Sequence, residues 1–197
     1  MASDDLARTK KSASRDGRLI LFIDEAGFRF DPVKRNSWAP AKNPPILRPI
    51  AKKDRVSAIA GLVYDPRTKA TDLGFRLQHT YYNRYTVASF LEAMITDLDR
   101  DVLVILDNWD PHRLAIDHLE ETNPATASRL AVAYFPTYAP DLNPLEQLWT
   151  HVKYGQLANY VPETIEQLHR RAAQLIEAKQ PRQETLRNYI RTAELVM

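Results

Sequence analysis

Three carboxylates stand where this sequence could do chemistry. Asp24 and Asp107 each close a run of five apolar residues, LILFI and VLVIL, and Glu146 follows in the turn Asn-Pro-Leu-Glu. Between them lie 82 and then 38 residues, so only a fold can gather them. Carboxylates brought together repel, and one of the group would normally hold a proton. A hard divalent cation removes that cost, and all-oxygen donors suit Mg²⁺ or Mn²⁺. Two such ions, roughly 3.5–4 Å apart, stabilise both the attacking and the leaving oxygen of an in-line phosphoryl displacement. No glycine-rich phosphate loop, G-x-S-x-G or HExxH motif competes with this set, and the chain has no cysteine. Glu146 also has a purely structural reading. With Asn143 as N-cap and Pro144 at the first helical position, its side chain could reach back to a backbone N–H as a capping box does.

The elements that must position these groups are legible from periodicity. Leu19–Asp24 and Val102–Asp107 read as strands buried on both faces, each delivering its acid at or near its carboxyl end, where open α/β sheets bind ligands. Glu25 should face away from Asp24, because strand side chains alternate. Val56–Tyr64 and Leu73–Gln78 read as strands joined by an Asp65-Pro66-Arg67 turn, forming an antiparallel meander with the first. Apolar residues at 87, 90, 91, 94, 95 and 98 predict a helix over Thr86–Leu98 with Thr86 as its cap. A further helix is expected over about His112–Glu121, and a last strand over Leu130–Phe135. Leu145, Leu148, Trp149 and Val152 then give the helix that carries Glu146 an apolar face. Thr164–Ala178 and Glu184–Leu195 read as two amphipathic helices broken near Pro181, or as one kinked helix.

With 197 residues, 44% hydrophobic and 26% charged, the chain suits a globular domain with a full core. No apolar run is long enough for a membrane span, and a cytoplasmic, nucleoid-associated location is expected. Residues 1–18 are expected to form a flexible basic tail, 19–160 the catalytic domain and 161–197 a helical extension. The net charge is only +2, but residues 29–55 hold eight basic residues against two acidic ones. Lys34, Arg35, Lys42, Arg48, Lys52 and Lys53, with Trp38 among them, would suit a phosphate backbone and a base or sugar to stack on. Trp38 could equally fold onto the core. His112 is a candidate partner of the acids, a phosphate contact or a helix cap. Asn108 lies beside the second aspartate, and Lys153, seven residues after Glu146, falls on nearly the same helix face.

FIDE at 22–25, LDNWDPH at 106–112 and PTYAPDLNPLEQLW at 136–149 resemble the three signature blocks of DDE transposases, most closely the mariner-like superfamily that includes many bacterial insertion-sequence enzymes. RNSWAPAKNPPILRP at 35–49 is similar to the loop between their first two core strands. The resemblance implies a ribonuclease-H-like α/β fold, a mixed five-stranded sheet with helices on both faces. It implies that Asp24, Asp107 and Glu146 ligate Mg²⁺ or Mn²⁺, two ions in all. The implied reaction is cleavage of DNA at transposon ends and transfer of the 3′-OH into target DNA. Trp109 and Pro111 are bulkier and stiffer than the residues expected after the Asp-Asn pair. A homodimer is expected, with end recognition supplied by a separate helix-turn-helix polypeptide from an upstream frame. The rival readings are a non-catalytic DNA-binding remnant and a nuclease of the same fold that cleaves without joining.

Overall fold

The computed structural model describes residues 12–31, 33–36, 38–40, 42, 46–48, 54–137 and 139–193. Five strands form one sheet: β1 (Leu19–Arg29), β2 (Arg55–Tyr64), β3 (Thr71–Gln78), β4 (Val102–Leu106) and β5 (Leu130–Tyr134). Their order is β3-β2-β1-β4-β5. β1, β2 and β3 form an antiparallel meander, whereas β4 and β5 run parallel to β1. This is the ribonuclease-H-like arrangement expected from the sequence.

The β1 strand runs five residues beyond its expected end at Asp24. Its long partner β2 continues pairing to Arg29↔Arg55, whereas β4 pairs with it only as far as Phe22↔Ile105. Asp24 therefore lies within β1, opposite Ala60, just beyond the point where the parallel neighbour stops. The sheet opens into a cleft there.

Alternation on β1 sends its side chains into two cores. Ile20, Phe22 and Phe28 pack with residues of the C-terminal helices, while Leu19, Leu21 and Ile23 pack on the opposite face. That second face is covered by α1 (Arg84–Thr96) and α2 (Asp110–Thr122), through Val87, Leu91, Ile95, Ala115 and Leu119. After a short helix, α3 (Pro124–Ala127), and β5 comes α4 (Leu145–Trp149), which continues as a π-helical stretch over Thr150–Gln156. The first face is covered by α4 and by α5 (Ile165–Glu177) and α6 (Gln183–Thr192). Each large side chain buried in these layers contributes roughly 1.5–3 kcal/mol. No helix among the described residues is long and apolar enough to cross a membrane.

Two local expectations are corrected, and one open alternative is resolved. The α1 cap is Asn83, not Thr86: Asn83 Oδ1 accepts from the N–H groups of Tyr85 and Thr86, at 3.0 and 3.2 Å, and Thr86 Oγ1 accepts from Asn83 N–H at 2.9 Å. Asparagine followed by threonine forms the capping box that serine or threonine followed by glutamate makes elsewhere. The helix after β4 starts at Asp110 rather than near His112, because Pro111 suits the first turn. The C-terminal segment is two helices, and the turn between them protects the β3 edge. Gln180 Nε2 donates to the Leu73 carbonyl at 2.8 Å, and Gln183 Oε1 accepts from Thr71 N–H at 3.0 Å. Side-chain amides thus satisfy edge groups that would otherwise recruit another strand.

The β2–β3 turn holds Asp65, which with Arg100 ahead of β4 forms the pair that should dominate acid sensitivity. Asp65 accepts from Arg100 at 2.7 Å and from Arg67 N–H at 2.9 Å. Burial works against its charge, yet these bonds and the Thr68 hydroxyl hold its carboxyl down to about 2 from an ordinary 3.8. A depressed folded pKa stabilises the protein above the unfolded value and loses that effect as pH falls towards 2. Asp65→Asn should lose about 2 kcal/mol at neutral pH. Urea titrations at pH 7 and pH 3 test this, and the gap between variant and wild type should narrow in acid.

Candidate active site

Asp24 is buried on β1 with its Oδ2 accepting a 2.9 Å hydrogen bond from Trp149 Nε1. Trp149 is placed by α4 and packs edge-on against Phe28, 6.3 Å between ring centroids. The helix that carries Glu146 thus also clamps the first acid. Burial raises the Asp24 pKa well above its ordinary value, and the charges of Glu146, Glu25 and Asp107 add to that against the Trp149 bond.

Asp107 follows β4 directly. Its Oδ1 accepts from Trp109 N–H at 3.0 Å and meets His112 Nδ1 at 2.6 Å. His112 has no exposed surface, and its Nε2 lies 2.9 and 3.0 Å from the two carboxylate oxygens of Glu25. With a carboxylate at each ring nitrogen, both nitrogens donate and the ring is an imidazolium. Burial pulls its pKa down, but the bonds to Asp107 and Glu25 outweigh this and push it up to about 10. In turn, burial raises the Asp107 pKa, but His112 and the Trp109 N–H more than offset this and lower it.

Glu146 makes no side-chain capping bond, so the capping-box geometry is not formed. Asn143 serves the helix start instead, its Oδ1 accepting from Leu145 N–H at 3.1 Å. Burial raises the Glu146 pKa, Lys153 opposes this and Asp141 adds to it. A carboxylate without a hydrogen bond among the described residues, under a potential that disfavours its charge, is poised to accept a cation.

Asp24, Asp107 and Glu146 line one cleft of about 420 Å³, together with Asn108, Trp109 and Phe135. Asn108 Nδ2 donates to the Phe135 carbonyl at 3.2 Å and so ties the ends of β4 and β5 together. The acids share the cleft, but among the described residues no group of three or more acid, histidine or cysteine side chains forms a cluster that could hold an ion. Donor chemistry nevertheless fits one. Asp24 Oδ1, Asp107 Oδ2 and both Glu146 oxygens accept no hydrogen bond among the described residues.

His112 is neither a helix cap nor an exposed phosphate contact. It is a buried bridge between Asp107 and Glu25, on the sheet face opposite Trp149. Lys153 lies in the π-helical stretch that continues α4, close enough for its charge to act on Glu146. It lines a neighbouring cavity of about 290 Å³ with Arg29, Asp31 and Tyr160. In the basic segment, Trp38 is fully exposed at 103% and does not fold onto the core. Lys34, Lys42 and Arg48 are exposed. Arg35 is exposed but engaged, donating from Nη1 to the Tyr154 carbonyl at 2.8 Å. Lys52 and Lys53 lie outside the described residues.

Periodicity gave no role to two participants. Trp149 reads as a plain apolar position until its indole N–H is considered, and Glu25 gains its role from His112, a residue 87 positions away.

Likeness to known proteins bears on the family and the fold. A family model described as DDE superfamily endonuclease matches residues 19–169. No curated protein matches the chain. Among solved structures, the chain is similar to the Mos1 strand transfer complex, with TM-score 0.64 and 21% identity over 98% of this chain and 56% of that one. It is similar to a pre-cleavage Mos1 transpososome, with TM-score 0.64 and 20% identity over 98% and 58% of the two chains. It also resembles the Mos1 mariner paired-end complex with Mn, with TM-score 0.62 and 17% identity over 97% and 58%. The chain thus spans somewhat more than half the length of these proteins, and the likeness concerns the fold. With a family model covering most of its length, the chain belongs to the DDE superfamily endonucleases.

Proposed function

We propose that this chain is the catalytic part of a transposase, cleaving DNA phosphodiesters at transposon ends and transferring the resulting 3′-OH into target DNA. The observation that carries this reading is the convergence of Asp24, Asp107 and Glu146 on one cleft, each with a carboxylate oxygen that accepts no hydrogen bond among the described residues. Family membership and the likeness to Mos1 complexes, among them paired-end and strand transfer complexes, support it. In this reading residues 19–160 form the catalytic unit with 161–193 packed on it, and residues 12–16 form a helical turn that buries Ala13 against the same core, the whole acting as a homodimer.

Asp24, Asp107 and Glu146 would hold Mg²⁺ or Mn²⁺, the ions named in two of the similar structures. When bound, such ions neutralise the acids, polarise a phosphate oxygen and lower the pKa of water. The chain itself supplies fixed orientation. Trp149 holds Asp24, and His112 with the Trp109 N–H holds one oxygen of Asp107 while the other stays available. Asn108 keeps the cleft wall in place, and Glu146 is left to adjust.

Ligation has a stability signature that needs no catalysis. Mg²⁺ or Mn²⁺ should raise the melting temperature of the wild type, because an ion that binds only the folded state stabilises it. Asp24→Asn with Asp107→Asn should remove that shift. Equal shifts in both proteins would mean that these acids do not form the site. Joining is tested separately, by recovering products in which a labelled 3′-OH end is covalently attached to a target plasmid. Cleaved ends without joined products would favour the non-transposing nuclease.

DNA contact by the basic segment predicts a steep salt dependence, with the logarithm of affinity falling by about 0.9 per phosphate neutralised for each decade of salt. Replacing Lys34, Lys42 and Arg48 by Gln should lower that slope by roughly two to three. An unchanged slope, measured by fluorescence anisotropy between low and physiological salt, would remove this segment from the interface.

A further inference from the structure

The edge strand β3 is tied to the C-terminal helices at both of its ends. Gln180 and Gln183 bond its first half, and just past its last residue two histidine rings meet. His79 Nε2 and His169 Nδ1 are 3.0 Å apart, with the rings edge-to-face and their centroids 5.1 Å apart. An imidazole pair at this distance shares one proton, one ring donating its N–H and the other offering its lone pair. Without that proton, two ring lone pairs converge on one place.

Both rings are held by elements that are themselves fixed. Gln78 Nε2 donates to the Thr80 and Tyr81 carbonyls, at 3.3 and 3.0 Å, and so closes the turn that carries His79. His169 sits in the first half of α5, next to the buried Leu168, on a helix whose start is capped by Thr164 Oγ1 accepting from Gln167 N–H at 3.2 Å. His79 is exposed and His169 half-buried, so an ion can reach the pair from solvent. Burial and the charge of His79 hold His169 below its ordinary pKa, which keeps a neutral ring nitrogen on offer. The other three histidines have no ring nitrogen facing a second imidazole: His112 bridges two acids, His118 lies against Tyr85 and His151 meets the Tyr189 hydroxyl.

Imidazole nitrogens suit transition-metal dications and not Mg²⁺. With metal–nitrogen bonds of about 2.0–2.1 Å, nitrogens 3.0 Å apart subtend about 95° at the ion, whereas a tetrahedral site would spread them to about 3.3 Å. An angle near 90° is that of neighbouring ligands in the tetragonal geometry of Cu²⁺ and Ni²⁺. We propose that His79 and His169 together bind one Cu²⁺ or Ni²⁺ ion, with water in its remaining positions, and that the ion pins α5 to the end of β3. The site is separate from the three acids. Asp24 stands opposite Ala60, and Ala60 opposite Phe75, so His79 lies two strands across and four residues along, roughly 16 Å away. One ion cannot serve both places, and the histidine site stands independently of the DNA-processing reading.

The test uses the full chain without a polyhistidine tag, stripped with EDTA, exchanged into chelator-free buffer at neutral pH and titrated calorimetrically with NiCl₂ or CuCl₂. A saturable site should be present in the wild type and persist in Asp24→Asn with Asp107→Asn, its affinity within about twofold, because sites so far apart act independently. In that acid-free background, His79→Gln and His169→Ala should each weaken Ni²⁺ binding at least about tenfold, since even the partner of a metal ligand is worth that much. Glutamine at 79 keeps a hydrogen bond to His169 and loses only the ligand, so the two variants separate ligation from packing. Ni²⁺ should raise the melting temperature of the acid-free protein and not that of the same protein carrying His79→Gln. Electron paramagnetic resonance of the Cu²⁺ complex should show coupling to two imidazole nitrogens, and to one after either histidine substitution. Absence of a saturable Ni²⁺ or Cu²⁺ site in the acid-free protein, an affinity untouched by both histidine variants, or a Cu²⁺ spectrum without two-imidazole coupling would overturn the site. None of these results bears on whether the three acids process DNA.

Discussion

Glu146→Gln should nick supercoiled DNA in Mn²⁺ roughly a hundred- to a thousandfold more slowly than wild type, the scale of losing one fixed electrostatic group at a reacting centre. Its melting temperature should stay level or rise slightly. Glutamine keeps the shape and the hydrogen-bonding capacity but not the charge that a metal ligand needs. Stability should not suffer, because Glu146 makes no capping bond and its charge is disfavoured by burial and by Asp141. Glu146→Ala should lose activity equally and cost under about 0.5 kcal/mol, since the cap effect that alanine usually removes is absent. The assay supplies end-bearing DNA as well as plasmid. Should Glu146→Gln nick as fast as wild type while Glu146→Ala melts earlier, the residue is a cap after all. The third carboxylate would then lie elsewhere, with Asp141 nearest in sequence.

The legible part of this molecule is the part set by local pattern. Five apolar residues before Asp24 and before Asp107 mark two central strands, and the apolar face from Leu145 to Val152 marks the helix behind Glu146. Family resemblance in the three acidic blocks then fixes how these elements are arranged. What stayed hidden depends on contacts across the sheet. The extension of β1 to Arg29 is dictated by pairing with β2, not by its own residues. The π-helical register of Thr150–Gln156 leaves no mark in a 3.6-residue pattern. Alternation correctly sends Glu25 away from Asp24, yet nothing local says that a buried histidine waits on that face. Trp149 shows the same limit, since hydrophobic periodicity records its ring and ignores its N–H.

That buried histidine carries the largest stability effect expected here. His112→Ala should destabilise the protein by about 3 kcal/mol or more, the range for breaking a buried ion pair by removing one partner. For a chain of this size that lowers the melting temperature by roughly 6–12 °C. The loss is not mainly a lost contact. His112 is fully buried, and without it the Glu25 carboxylate, only 17% exposed, loses the cation at its oxygens while its charge still bears on Asp24. Glu25→Gln removes that charge, so combining it with His112→Ala should recover part of the loss. A double-mutant cycle in urea should therefore show a coupling of about 1–3 kcal/mol. Activity should respond differently. Glu25→Gln leaves Asp107 bonded to the ring and should retain much of the nicking rate. His112→Ala frees Asp107 to rotate about its remaining Trp109 bond, and should lose activity even at temperatures where it is fully folded. If the two substitutions add without coupling, or if folded His112→Ala nicks as wild type does, the imidazolium is not what holds the second acid in place.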